Sequence, residues 1–186
     1  MEAVIGLDIS TSVVGFSALT PSGALVELDH VDLKKLKSPW QKSNHVAEFL
    51  RGKQNKYLIK QVYIEQNLSK FRPGLSSAKV LMILARFNGM VSLIAYQIFG
   101  IEPVYVNFSE ARNHLGIKLN RKSNIDVKDQ ILSSVSTMIS WTWKTKTLKS
   151  GKRKGLTIFD PCCYDQADAW VVARAGIDGI VVGRRE

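Results

Sequence analysis

The feature that most constrains this chain is an acid inside apolar, β-forming sequence. Asp8 sits among Val4, Ile5, Leu7 and Ile9, where a carboxylate is unfavourable unless something compensates it. Residues 3–9 (AVIGLDI), 13–19 (VVGFSAL) and 24–31 (ALVELDHV) are three such runs, separated by Ser-Thr-Ser and Thr-Pro-Ser-Gly. Turn residues between short β-forming runs predict an antiparallel meander. A polar stretch at 41–51, with Val46, Ala47, Phe49 and Leu50 as its apolar members, predicts a short helix crossing to a strand at 61–65. A strand reached by a helical crossover lies parallel to the first. Glu65 therefore ends a second apolar strand beside the one that carries Asp8.

Downstream, residues 76–99 are apolar almost all round, as in a helix covered on more than one side, and one cover is the sheet. Gly89 in its middle disfavours helix by about 1 kcal/mol relative to Ala and is expected to mark the close approach of another backbone, with a second subunit as one candidate. A strand at 103–106 leads to Ser109, the expected N-cap of a helix through Leu115 that Gly116 ends. Ser123 and Asp126 have capping-box spacing ahead of a helix to about Ile139. Residues 141–155 carry Lys144, Lys146, Lys149, Lys152, Arg153 and Lys154 with no acid, and read as a basic loop or hairpin. Asp160 and Pro161 open a last helix that Gly176 is expected to close. The fold class expected is α/β in one domain spanning 1–186. Its mixed five-stranded sheet has the first three strands antiparallel, the fourth and fifth parallel, and helices on its flanks.

Charge narrows the partners. A net charge of +10 and a pI near 9.7 point to a polyanion, and no lysine-rich amphipathic helix suggests a membrane surface. Nucleic acid is the expected partner. Lys79, Arg86 and Asn88 interrupt the longest apolar run, at 78–99, so no membrane span is expected. With no signal-like N-terminus, the expected location is cytoplasmic. Adjacent Cys162 and Cys163 do not suit a disulfide or a zinc site and read as reduced, structural residues.

Asp165 and Asp168 lie three apart and so share a face of the last helix, beside Ala167, Ala169 and Trp170. Four acids meeting without cations would repel one another. Hard divalent ions with oxygen ligands resolve the conflict, Mg²⁺ above all, with Mn²⁺ as a substitute. Two such ions about 4 Å apart support in-line hydrolysis of a phosphodiester, leaving 5′-phosphate and 3′-hydroxyl ends.

The strings IGLDIST at 5–11, YIEQ at 63–66 and DQADAWVVA at 165–173 resemble the three acidic motifs of RuvC-type Holliday junction resolvases. These are RNase H-like nucleases, and the similarity runs in order across most of the chain. The resemblance implies metal-binding roles for Asp8, Glu65, Asp165 and Asp168. EARNHLGIK at 110–118 and DVKDQI at 126–131 are similar to the segment that supplies two basic residues near the scissile phosphate, here Arg112 and Lys128. Where the family carries a wedging aromatic soon after the second acid, this chain has Leu68, with Phe71 three residues on. Lys70, Phe71 and Arg72 are accordingly candidate DNA contacts, as are the six basic residues of what looks like an insertion at about 141–156. The expected activity is structure-selective DNA cleavage at four-way junctions by a homodimer, which presents two sites in two-fold symmetry. Action on flaps or RNA-DNA hybrids, or branched-DNA binding without cleavage, are the alternatives. GLDIST also resembles the phosphate loop of actin-like sugar kinases, but a chain of 186 residues is short for their two domains.

Overall fold

The computed structural model describes residues 1–66, 78–151 and 154–182. Strands β1 (Glu2–Ile9), β2 (Val13–Leu19) and β3 (Leu25–Asp32) form the antiparallel meander, and helix α1 (Pro39–Lys56) crosses to β4 (Leu58–Glu65). Next come α2 (Ala78–Phe99), β5 (Val104–Val106), α3 (Phe108–His114) and α4 (Val127–Met138). A small ribbon of β6 (Thr145–Thr147) and β7 (Thr157–Phe159) precedes the last helix, α5 (Cys162–Ile177). The sheet order is β3-β2-β1-β4-β5, with β4 parallel to both β1 and β5. This is the mixed five-stranded arrangement expected.

Alternation along β1 and β4 decides which side chains meet. Ile5, Leu7, Val62 and Ile64 are fully buried in a core shared with Val46 and Leu50 of α1 and Phe87, Val91 and Ala95 of α2. The opposite face of the sheet carries α5, backed by α3 and α4 through Ala111, Leu132 and Val135. On that face Gly6 and Gly15 leave room for a helix backbone. A Cβ at Gly6 would fall 2.2 Å from the Ala169 carbonyl oxygen, and one at Gly15 2.0 Å from that of Asp165. Ser17 Oγ donates to the Ala169 carbonyl at 2.9 Å in the same contact. Helix α5 therefore lies directly on β1 and β2, and its sequence is buried nearly all round. At the β3 edge, buried Lys53 pairs with Glu27 at 3.1 Å and Asp29 at 2.5 Å while its ammonium sits over Phe16 and Phe49.

Several expectations need correction. The crossover helix is longer than 41–51, because Ser38 and Gln41 form a capping box and Pro39 occupies the first turn. Asn107, not Ser109, caps α3, its Oδ1 accepting from the Ser109 and Glu110 amides. Asp126 alone caps α4 through the Lys128 amide at 2.8 Å, while Ser123 Oγ accepts from Ile125 in the preceding turn. Gly176 is inside α5, packed against the Tyr63 ring, and the left-handed residue that follows the helix is Gly179.

Helix α2 differs most. Nothing described lies within 4 Å of a Cβ built at Gly89, so no backbone among the described residues approaches it. The helix packs mainly on α1 and only lightly on the sheet, leaving Val80, Met82, Ile83, Leu93 and Tyr96 exposed. Despite Lys79, Arg86 and Asn88, it is the one helix among the described residues long and apolar enough, by length and composition, to cross a membrane. Its buried row includes the polar Asn88 and Ser92, which bond to the Glu65 carbonyl and to Tyr105.

Candidate active site

Parallel register sets the first pair of acids side by side. Leu7 pairs with Ile64, so Asp8 and Glu65 are the next residues along their strands and turn to the α5 face. Asp8 is also the partner of Gly15 across β2, the position over which the Asp165 backbone lies. The same close approach that glycine permits thus brings the two acids of α5 over the ends of β1 and β4. The Asp160 carboxylate accepts from the Cys162 amide at 3.2 Å, fixing where α5 starts and so where its acids fall.

Electrostatics record the convergence. Burial, then the Asp165 charge, pushes the Asp8 carboxyl up to about 6, with its bond to Glu65 and the Lys128 charge opposing. Glu65, hydrogen-bonded to Asp8, is raised well above the ordinary range by burial and then by Asp8 and Asp168. Asp168 is likewise raised by burial and by Asp8, while Lys128 and Arg112 oppose the rise. For Asp165 burial outweighs the opposing charges of Lys128, Lys34 and His30. The Lys128 ammonium is 3.9 Å from Asp165 Oδ1, and half-buried Arg112 lies over the Phe108 ring. Asp8, Ser10, Glu65, Gln66 and Asn88 border a cavity of about 170 Å³ whose far wall is Leu81 and Leu84 of α2.

Among the described residues no three His, Cys, Asp or Glu side chains are gathered tightly enough to enclose an ion as they stand. Acids that share one site cannot all ionise without a cation. Asp168 Oδ1 is buried and has no hydrogen-bond partner among the described residues. Four half-buried carboxylates resisting ionisation, one with an orphaned oxygen, suit a hard divalent cation such as Mg²⁺ or Mn²⁺.

Other sequence candidates lie elsewhere. Lys144, Lys146, Lys149 and Lys154 are on the β6–β7 ribbon or its connecting loop, exposed, and joined to the start of α5 where the Asp160 amide donates to the Lys144 carbonyl at 2.8 Å. None of them contacts the acids. Lys70, Phe71, Arg72, Lys152 and Arg153 lie outside the described residues. Cys162 and Cys163 are free and buried, and burial pushes the Cys162 thiol up to about 12. Lys34 and His30 were not candidates from sequence, because only the return of β3 beside β2 brings them near Asp165.

No family model and no curated protein matches the chain. Its fold is similar to that of two Thermus thermophilus RuvC structures. One, in complex with a Holliday junction substrate, has a TM-score of 0.63 and 13% identity, over 97% of this chain and 98% of that one. The other has a TM-score of 0.59 and 12% identity, over 96% and 98%. The chain has the RNase H-like fold of these proteins.

Proposed function

We propose that this protein is a divalent-metal-dependent DNA endonuclease that resolves four-way junctions by paired nicks. The observation that carries the reading is that Asp8, Glu65, Asp165 and Asp168 lie near enough to act on one another's charge, while Asp168 Oδ1 is buried with no hydrogen-bond partner among the described residues. A chain of net charge +10 that gathers acids at one point has built a place for cations beside a polyanion. The fold supports junction DNA as substrate, because a structure of that fold was solved with one.

In this reading the four carboxylates would hold Mg²⁺, which when bound would supply water activation and charge stabilisation for the leaving 3′ oxygen. Lys128, exposed at the rim beside Asp165, meets the charge that develops on the scissile phosphate. Arg112, whose charge reaches Glu65 and Asp168, supports it from the α3 side. Two sites are needed for paired nicks, and the exposed apolar face of α2 around Gly89 is where a two-fold partner would sit. Flap or hybrid cleavage would use the same acids, and binding without cleavage would leave the orphaned Asp168 oxygen without a purpose.

Glu65→Gln and Asp168→Asn each remove a metal ligand and no phosphate contact. Both are expected to abolish junction cleavage in Mg²⁺ while junction binding, followed by gel shift, stays within a few-fold of wild type. Wild-type cleavage by either variant would refute the assignment.

A further inference from the structure

Beside the acid cavity lies a second groove, about 370 Å³, walled by Thr11, Lys37, Pro39 and Lys42 on one side and by Ile83, Arg86, Phe87 and Met90 of α2 on the other. The two hollows adjoin: Ser10 borders the first and Thr11 the second, and successive faces of α2 form the far wall of each. The groove is positive. Lys37 and Arg86 are exposed, and no carboxylate lies within ion-pair distance of either, or of Lys34 and Lys42, among the described residues. Lys42 stands in the first turn of α1, where a cation opposes the helix dipole, and is held there by donating to the Thr11 carbonyl at 2.6 Å. Trp40, the residue after the groove-lining Pro39, is 72% exposed, an unusual position for so large an aromatic.

Like charges are gathered here at an electrostatic cost, at a site whose lining neighbours that of the candidate catalytic cavity, with the exposed Trp40 adjoining it in sequence. Basic grooves with exposed aromatics are how proteins track a nucleic-acid strand, phosphates against the cations and a base against the ring. We infer that this groove carries the DNA strand leaving the acid cleft, with Lys37 and Arg86 on its phosphates and Trp40 stacked on an unpaired base. The inference rests on the proposed nuclease reading for the identity of the strand, but the groove makes its own demand on binding. Lys34, near enough to Asp165 to oppose the rise in its pKa, extends the positive surface back to the acids.

The test is the salt dependence of binding to a fluorescent four-way junction in EDTA. Replacing Lys37 and Arg86 together by Ala removes two phosphate contacts, so the slope of log affinity against log salt should fall by about 1.4 to 1.8. That is about a tenfold smaller loss of affinity between 50 and 200 mM salt. The charge-preserving pair Lys37→Arg and Arg86→Lys should keep the wild-type slope, and Trp40→Ala should weaken binding without changing it. Cleavage at saturating protein should survive in all of them. If wild type cleaves junctions and the Ala pair, folded by its melting curve, keeps the full slope, the groove is overturned and the nuclease reading stands. If wild type binds but does not cut, a reduced slope upholds the groove and the nuclease reading fails. Absence of any DNA binding by wild type overturns both. Should the Ala pair not fold, the Lys34→Ala and Trp40→Ala variants decide: unchanged affinity in both overturns the inference.

Discussion

Replacing Asp8 by Asn should make the metal-free protein more stable, not less. Burial and the neighbouring acids raise the Asp8 pKa from 3.8 to about 6. Between those values the folded state holds a proton that the unfolded chain has released, so stability falls as pH rises through that window. At 1.36 kcal/mol per pH unit, the ionised carboxylate costs the fold roughly 3 kcal/mol above pH 6. An amide at this position has the same shape, carries no charge and can donate to Glu65. Asp8→Asn is therefore expected to match wild type near pH 4 and to exceed it by about 2 to 3 kcal/mol at pH 8 in EDTA. For a chain of this size that is roughly 5 to 10 °C in melting temperature. Urea unfolding at both pH values reads the difference directly. Mg²⁺ should reverse it at pH 8, because only the wild type recovers its loss by binding the ion to the full acid set. A variant no more stable than wild type at pH 8 in EDTA would refute the claim that these acids are held together against their own repulsion.

Three further outcomes follow from the geometry. Gly15→Ala places a methyl 2.0 Å from the Asp165 carbonyl; since backbone cannot yield as a side chain can, a loss of about 3 kcal/mol by chemical denaturation is expected, with reduced cleavage as α5 lifts. Lys128→Ala should lower single-turnover cleavage by about 10²-fold or more while binding changes little, and a binding defect without a rate defect would make it a simple phosphate contact. Gly89→Arg should convert a dimer to monomer in light scattering, and a wild-type protein that is monomeric both free and on a junction would refute the paired-nick reading.

The strands and acids were legible because each carries its signal locally. The alternation in 3–9 and 61–65, the turn residues between runs and the helical crossover together fix a parallel β1–β4 pair, and that register alone sets Asp8 beside Glu65. The start of α1 was equally local: Ser38, Pro39 and Gln41 spell a capping box, yet the apolar pattern on which the shorter helix rested begins only later. What the sequence hides is what depends on a partner element. A close approach was expected at Gly89 but occurs at Gly6 and Gly15, which inside a strand look like ordinary weak β-formers until a helix is laid on them. Asn107 and Ser109 are both good caps, and only the path of the chain out of β5 selects the former. Lys37 and Arg86 are 49 positions apart, and nothing short of the α1–α2 packing could place them on one groove.

The central claim is tested most directly by a strand-specific cleavage panel in Mg²⁺, comparing a four-way junction, a flap, an RNA-DNA hybrid and plain duplex at equal concentration. Nicks paired across the junction in strands of like polarity, bearing 5′-phosphates, abolished by EDTA and restored by Mn²⁺, are the result expected. Binding to all four substrates with no metal-dependent cut in any of them would contradict it.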